Sequence, residues 1–360
     1  MRRRRSYWAN GRAPRRRLEA WPDSAPRSSA SSWGPRARSF IAPPTTGFGA
    51  LTQESRIQST PPDAATRSAA ASSLAGVKAG TCAPRSFTAR FPPRSSHPAS
   101  APSTACSGTT PPLPGSYGYA GATLEELERR VLSDATAYAQ AGFDALMIQN
   151  VGDLPVAERV GPETVAWMTA LGRALRSAID LPLGVCVLKN DGTAALAIAQ
   201  AVGADFIRVK VWVGAMVGAE GLVQGCAREV LRYRRYIGAE QIAIWADVHD
   251  RTGVPLAPMP LEQAAREAIS FGKADGLVIT GADEDETIAW IARVKRVLPN
   301  TPVVAGGGAQ PSNLGRILAH ADGVIVATAA KVEGVLLNPV DPTAARGLVA
   351  AARAARGTLA

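Results

Sequence analysis

Seven stretches of the chain close on side chains that bind anions or move protons. Gln149-Asn150 precedes Gly152-Asp153, and Lys189-Asn190-Asp191 follows an apolar run. Arg208, Lys210 and Trp212 alternate along one strand face, as do Asp247 and His249. Thr280-Gly281, Gly306-Gly307-Gly308 and Ala327-Thr328, with Lys331 beyond, complete the set. Asp247 and His249 have the types and spacing of an acid–base pair or of metal ligands. A histidine near strands is also commonly a hydrogen-bonded structural residue. Lys210 and Asp247 either neutralise each other, since a lone charge inside a protein is costly, or form a catalytic pair. The glycine run is suited to holding phosphate, because backbone N–H groups approach an anion closely only where no Cβ intervenes. It serves equally well for close packing. Only three histidines exist, His97, His249 and His320. That excludes a His-rich metal centre and leaves a carboxylate-bound Mg²⁺ open; no other cofactor is evident.

These stretches recur because the elements that carry them recur. From Gly121 onward helices and short strands alternate. Thr123 and Glu126 form a capping box for a helix to about Gln140, stopped by Gly142. Strands are expected at 145–149, 183–188, 206–213, 242–248, 276–280, 302–305 and 323–327. Helices are expected at 162–179, 193–202, 219–237, 261–271, 285–297, 311–321 and 342–355. Runs such as Val185-Cys186-Val187-Leu188 and Val324-Ile325-Val326 are apolar on both faces, as parallel strands covered by helices must be. Gly203-Ala204-Asp205, Ala274-Asp275-Gly276 and Ala321-Asp322-Gly323 end helices just before strands. There glycine supplies a left-handed cap and aspartate satisfies the turn. The pattern is that of a (β/α)8 barrel over residues 111–360, whose active groups belong at the C-terminal strand ends. A doubly wound open sheet is the alternative, but no G-x-G-x-x-G follows a first strand.

Charge divides the chain. Up to Pro112 there are 17 Lys and Arg against 4 acids, leaving 23 against 26 of the totals 40 and 30 for the rest. The net +10 thus belongs to the leader, not to the folded part, which removes the main ground for nucleic-acid binding. Residues 1–110, rich in Arg, Ser, Ala and Pro, are expected to be a disordered tail. They read either as a transit peptide or as a leader translated from the wrong start or frame. Cys82, Cys106, Cys186 and Cys226 form no C-x-x-C pair and fit a reducing compartment. Apolar runs are too short for a membrane span. The expected location is cytoplasmic, at most peripheral to a membrane, or chloroplast if the leader is a transit peptide.

Gly161-Pro162-Glu163-Thr164-Val165, Leu188-Lys189-Asn190-Asp191, Ala204-Asp205-Phe206-Ile207-Arg208-Val209, Gly214-Ala215-Met216-Val217, Ala246-Asp247-Val248-His249 and Asn338-Pro339-Val340-Asp341 resemble, in order and spacing, the BtpA (BtpA/SgcQ) family. Pro112-Leu113-Pro114-Gly115-Ser116 resembles its segment after the first strand. The resemblance implies a barrel of the phosphate-binding type. It also implies site residues at Asn150, Asp153, Asn190, Asp191, Arg208, Asp247, His249 and Thr328. Catalytic roles fall to Asp247, His249, Lys210 and Asp191. Ligand binding falls to Asn150, Asp153, Asn190, Arg208, Gly306, Gly307, Gly308 and Thr328. Three functions follow: a factor for photosystem I biogenesis acting through protein or membrane-surface contacts; an enzyme on a small phosphorylated or sugar-like metabolite, with Asp247 and His249 as acid–base pair; and, least favoured, nucleic-acid binding through the tail. A small anionic ligand is the expected partner, and a homo-oligomer stays open.

This chain departs from the family pattern at three places. The family's first strand is apolar and ends in His, whereas Ser103–Thr110 reads Ser-Thr-Ala-Cys-Ser-Gly-Thr-Thr, so a degraded first strand is expected: either this stretch fills the gap poorly, or the strand is lacking and a sheet edge is exposed. Gln149 stands where the family usually has Glu. Ala282-Asp283-Glu284-Asp285-Glu286 brings four acids to the loop after the sixth strand, and these are expected to repel an anion.

Overall fold

The computed structural model describes residues 103–257 and 259–357. The basic leader up to residue 102, with every reading made of it, lies outside them. Eight parallel strands close a barrel: β1 (Ser103–Thr109), β2 (Ala145–Gln149), β3 (Leu183–Cys186), β4 (Phe206–Val209), β7 (Ala243–Val248), β9 (Gly276–Ile279), β10 (Val303–Ala305) and β11 (Gly323–Val326), with β1 hydrogen-bonded to both β2 and β11. Helices α1 (Leu124–Ala141), α2 (Pro162–Ala178), α3 (Gly192–Val202), α4 (Ala227–Tyr236), α5 (Leu261–Ser270), α6 (Glu284–Val297), α7 (Leu314–Leu318) and α8 (Pro342–Gly357) cover it.

Ser103–Thr109 does fill the place of the first strand, and the exposed edge expected of a barrel lacking it is overturned. Cys106 pairs in register with Leu146 on one side and Val326 on the other. The barrel therefore starts before residue 111 and has no open edge at this seam. A strand in a closed sheet is held by its two ladders and by its neighbours' side chains, so small polar residues suffice where flanking strands are apolar. The boundary between leader and barrel consequently falls before β1, not after it.

Local chemistry fixes the rest. Thr123 Oγ1 accepts from the Glu126 N–H at 3.2 Å, Glu126 Oε2 accepts from the Thr123 N–H at 2.8 Å, and Gly142 ends α1 at φ 91°. The Gly-Ala-Asp signature has one repeated use. Asp205, Asp275 and Asp322 accept, at 2.8, 2.9 and 2.7 Å, from the N–H of Leu183, Ile244 and Val303 near the start of the preceding barrel strand. Each carboxylate thereby satisfies a donor that the ladder leaves open.

Two layers of apolar contact result. The larger lies between sheet and helices, and α1 contributes Leu127, Val131, Ala135 and Tyr138 at helical spacing. The smaller fills the barrel with Met147, Cys186, Phe206, Val278, Val304 and Ile325 from alternating strand positions. A Cβ on Gly184 would fall 2.2 Å from the Phe206 ring, and one on Gly276 would fall 2.6 Å from Trp245. These two rings plug the barrel near the strand starts, leaving the opposite end open.

Two expected helices are corrected. Residues 219–237 are not one helix: β5 (Ala215–Gly218) and β6 (Gly221–Gln224) form an antiparallel hairpin, and only Ala227–Tyr236 is helical. Gly218 pairs with Gly221 around a two-residue turn, and Gly221 has φ 91°, a conformation that ends a helix. A third strand, β8 (Gly253–Pro255), adds antiparallel to β5. Residues 311–321 hold only the five-residue α7.

Candidate functional site

At the C-terminal end of the barrel lies a cavity of about 750 Å³, lined by groups from most strand ends. It includes Gln149 (β2), Lys189 (after β3), Arg208 (β4), Lys210 (after β4), Asp250, Arg251 and Thr252 (after β7), Thr280 (after β9), Gly306–Gly308 (after β10) and Thr328 (after β11), with Glu220 from the hairpin tip.

Its polar floor is a buried ionic network. Arg208 donates to Asp247 from Nε and Nη2, both at 2.8 Å, and Lys210 Nζ reaches Asp247 Oδ2 at 2.7 Å. Lys210 also lies 3.3 Å from Asp250, and Lys189 lies 3.3 Å from both Asp250 and Glu220 and donates to the Thr252 hydroxyl. Burial alone would depress the Arg208 guanidinium, but the adjoining Asp247 carboxylate more than offsets this and holds it above the usual arginine range. Burial would raise Asp250, whereas Lys210, the Thr252 hydroxyl and Lys189 bring its carboxyl down to about 2.

The glycine turn divides its labour. A Cβ on Gly306 would strike the Thr280 hydroxyl at 2.5 Å and Val278 at 2.6 Å, so this glycine permits packing. Gly308, at φ 78°, permits the turn, whose carbonyl accepts from Asn313 at 3.0 Å. Gly307 faces the cavity: its nearest neighbour is Arg251, 3.6 Å from where a Cβ would sit. Among the described residues no hydrogen bond takes up the N–H of Gly307, Gly308 or Ala309.

Most of the residues singled out in the sequence fall into two groups, with His249 and Lys331 outside both. Arg208, Lys210, Gly306, Gly307, Gly308 and Thr328 line the cavity, with Asp247 directly behind Arg208 and Lys210. Asn150, Asp153, Asn190 and Asp191 serve the backbone. Asn150 accepts from the Leu188 N–H at 2.7 Å, and Asp153 accepts from the Leu113 N–H at 2.7 Å. Asn190 exchanges hydrogen bonds with both backbone groups of Val211, and Asp191 caps α3 through the Ala194 N–H at 2.9 Å. His249 does not join Asp247. At φ 53° its ring turns edge-on to Trp290, 6.0 Å between centroids, and burial lowers its pKa. Lys331 is buried beside Asp134 of α1, away from the mouth.

The acidic loop does not face the cavity either. Asp283 caps α6, Glu286 accepts from the Ala282 N–H at 2.6 Å, and Glu284 and Asp285 pair with Arg316. The expected repulsion of an anion is therefore corrected. Sequence reasoning passed over Glu220, Asp250, Arg251 and Thr252, and it assigned roles to Asn190 and Asp191 but none to Lys189 beside them. Asn and Asp next to loops and helix starts are usually spent on caps and turns, whereas long charged side chains reach a cavity.

No group of three or more His, Cys, Asp or Glu among the described residues is placed to hold a metal. No described helix is long and apolar enough to cross a membrane.

Fold and mouth together define a (β/α)8-barrel protein with a polar ligand-sized cavity at its C-terminal strand ends. The chain belongs to the BtpA family, whose profile matches residues 109–354. It is 39% identical over 232 residues to an uncharacterised protein of Pyrococcus horikoshii, covering 64% of this chain and 88% of that one. It is 37% identical over 234 residues to the photosystem I biogenesis protein BtpA of Synechocystis, covering 64% and 81%. Among solved structures it is similar to thiamine phosphate pyrophosphorylase from Pyrococcus furiosus, at 17% identity and a TM-score of 0.44, covering 70% of this chain and 96% of that one.

Proposed function

We propose that the barrel binds a small phosphorylated, sugar-like metabolite at its mouth and acts on it there. The observation that carries this reading is the turn Gly306–Ala309. It lines the cavity with three backbone N–H groups that no described group occupies. Unspent N–H groups beside an open volume are suited to phosphate oxygens. The volume falls within the range of about 300–1,000 Å³ usual for small-molecule sites. The body of the ligand would lie toward Lys189, Lys210 and Asp250, whose amines and carboxylate are groups able to hold and pass protons. Asp247 backs them, and His249 stands apart.

Thermal unfolding of the full chain with inorganic phosphate, ribose 5-phosphate and glucose 6-phosphate tests this. A ligand at about a hundred times its Kd adds about 2.7 kcal/mol, worth roughly 5–10 °C in a domain of this size. Unchanged melting with every probe would sink the proposal. Gly307→Asp, which sets a carboxylate beside Arg251 where phosphate would sit, is expected to fold normally and abolish the stabilisation.

A second reading, a factor for photosystem I biogenesis, is favoured by one observation, the name of the Synechocystis relative. Disruption of the gene in a phototrophic source, followed by quantitation of photosystem I reaction-centre protein, decides it; an undiminished level ends the idea.

A further inference from the structure

We infer that Arg251 is a phosphate ligand of this site, and that the site takes a monophosphate with an uncharged, hydroxylated body. The inference rests on the phosphate-binding reading above and follows from a charge count over the cavity. Among its described lining residues the charged groups are Lys189, Arg208, Lys210, Arg251, Glu220 and Asp250. Arg208 is spent on Asp247, Lys210 on Asp247 and Asp250, and Lys189 on Asp250 and Glu220. Three cations therefore face three carboxylates within a closed network. Arg251 alone has no ion pair or hydrogen bond among the described residues.

Its position matches its charge. The Arg251 guanidinium lies 3.6 Å from the Cβ position of Gly307, beside the turn whose N–H groups are unspent. A guanidinium offers paired donors that fit two phosphate oxygens. The anion-seeking groups of the cavity thus converge at one end. The other end, already neutral, would have to break an internal ion pair to take a second anion, and that break is costly where the pair is buried. What the network offers without breaking is hydrogen bonding to neutral hydroxyls through Lys189, Lys210, Asp250 and Thr252.

Calorimetric titration of the full chain and of Arg251→Gln and Arg251→Lys tests both parts, with inorganic phosphate, ribose 5-phosphate, glucose 6-phosphate and fructose 1,6-bisphosphate as probes. Arg251 is exposed, so neither variant should alter the fold. Arg251→Gln is expected to weaken every phosphorylated probe by about tenfold or more, and Arg251→Lys to recover part of the loss. The bisphosphate is expected to bind the unaltered chain no better than about threefold beyond the monophosphates, well under the tenfold that 1.4 kcal/mol represents. Unchanged affinity in Arg251→Gln overturns the role of Arg251 while leaving the phosphate site standing. A bisphosphate preference of about tenfold or more overturns the charge count. Failure of all four probes to bind the unaltered chain overturns this inference and the site together.

Discussion

Arg208 and Asp247 are both buried, and each would be expensive in the barrel without the other. Their two parallel hydrogen bonds form a rigid floor from which Lys210 and Asp250 extend. Removal of one partner leaves a buried charge uncompensated, so Asp247→Ala is expected to lose about 3–5 kcal/mol of stability, read as a lower urea midpoint with unchanged slope. Asp250 supplies a pH test. Its folded pKa, about 2, lies below the ordinary carboxylate value, so its contribution is present above the unfolded pKa near 3.8 and lost as pH falls toward 2. The shift is worth on the order of 2 kcal/mol. Asp250→Asn is therefore expected to flatten the acid limb of stability between about pH 4 and pH 2; an unaltered limb would show that the network does not hold this proton off. At this scale the sequence was half legible. Arg208, Lys210 and Asp247 could be placed by alternation along their strands. His249 could not, because a left-handed residue just past the strand end breaks the alternation on which its pairing with Asp247 depended. Asn150, Asp153, Asn190 and Asp191 were recognised as special, but their short side chains are consumed by nearby backbone.

The elements that set these residues were legible wherever burial imposes a period. The alternation of two-face apolar strands with capped helices holds through α1, α2, α3, α5, α6 and α8. It failed at residues 215–224, where Gly-x-x-Gly between two pairs of apolar residues makes a hairpin that helix formers farther along had masked. This hairpin stands outside the closed barrel, in a small antiparallel sheet with β8. It meets the cavity through Glu220, which forms a 3.3 Å ion pair with Lys189 while its Oε2 is buried without a hydrogen-bond partner among the described residues. An unsatisfied carboxylate oxygen offsets what the ion pair contributes. The amides of residues 215–224 are therefore expected to exchange with deuterium well before those of β3, β4 and β9; equal protection would mean that the hairpin opens only with the whole barrel. Gly221→Ala, forced into a left-handed backbone, should cost roughly 1–2 kcal/mol and hasten that exchange further.

For the whole molecule, closure rests on the strand that composition argued against. Ser103–Thr109 is poor in apolar residues, and nothing in its own pattern marks it as a strand; its place is imposed by β2 and β11 on either side. A chain beginning at residue 111 would lack it. Such a chain is expected to expose the edges of β2 and β11 and to aggregate or unfold non-cooperatively, whereas one beginning near residue 100 should unfold in a single transition. Cooperative unfolding of the shorter chain would show that β1 is dispensable.

Ser103 finds its partner Gly323 some 220 residues farther along the chain. During synthesis, at about 5–20 residues per second, β1 therefore waits on the order of tens of seconds for the strand that seals it. A Val- and Ile-rich strand in that interval would be an adhesive edge in a crowded cell. One made of Ser, Thr, Ala, Cys and Gly is a poor template for foreign strands. The composition that makes β1 hard to recognise thus also makes it safe to leave exposed on the ribosome until the ring can shut.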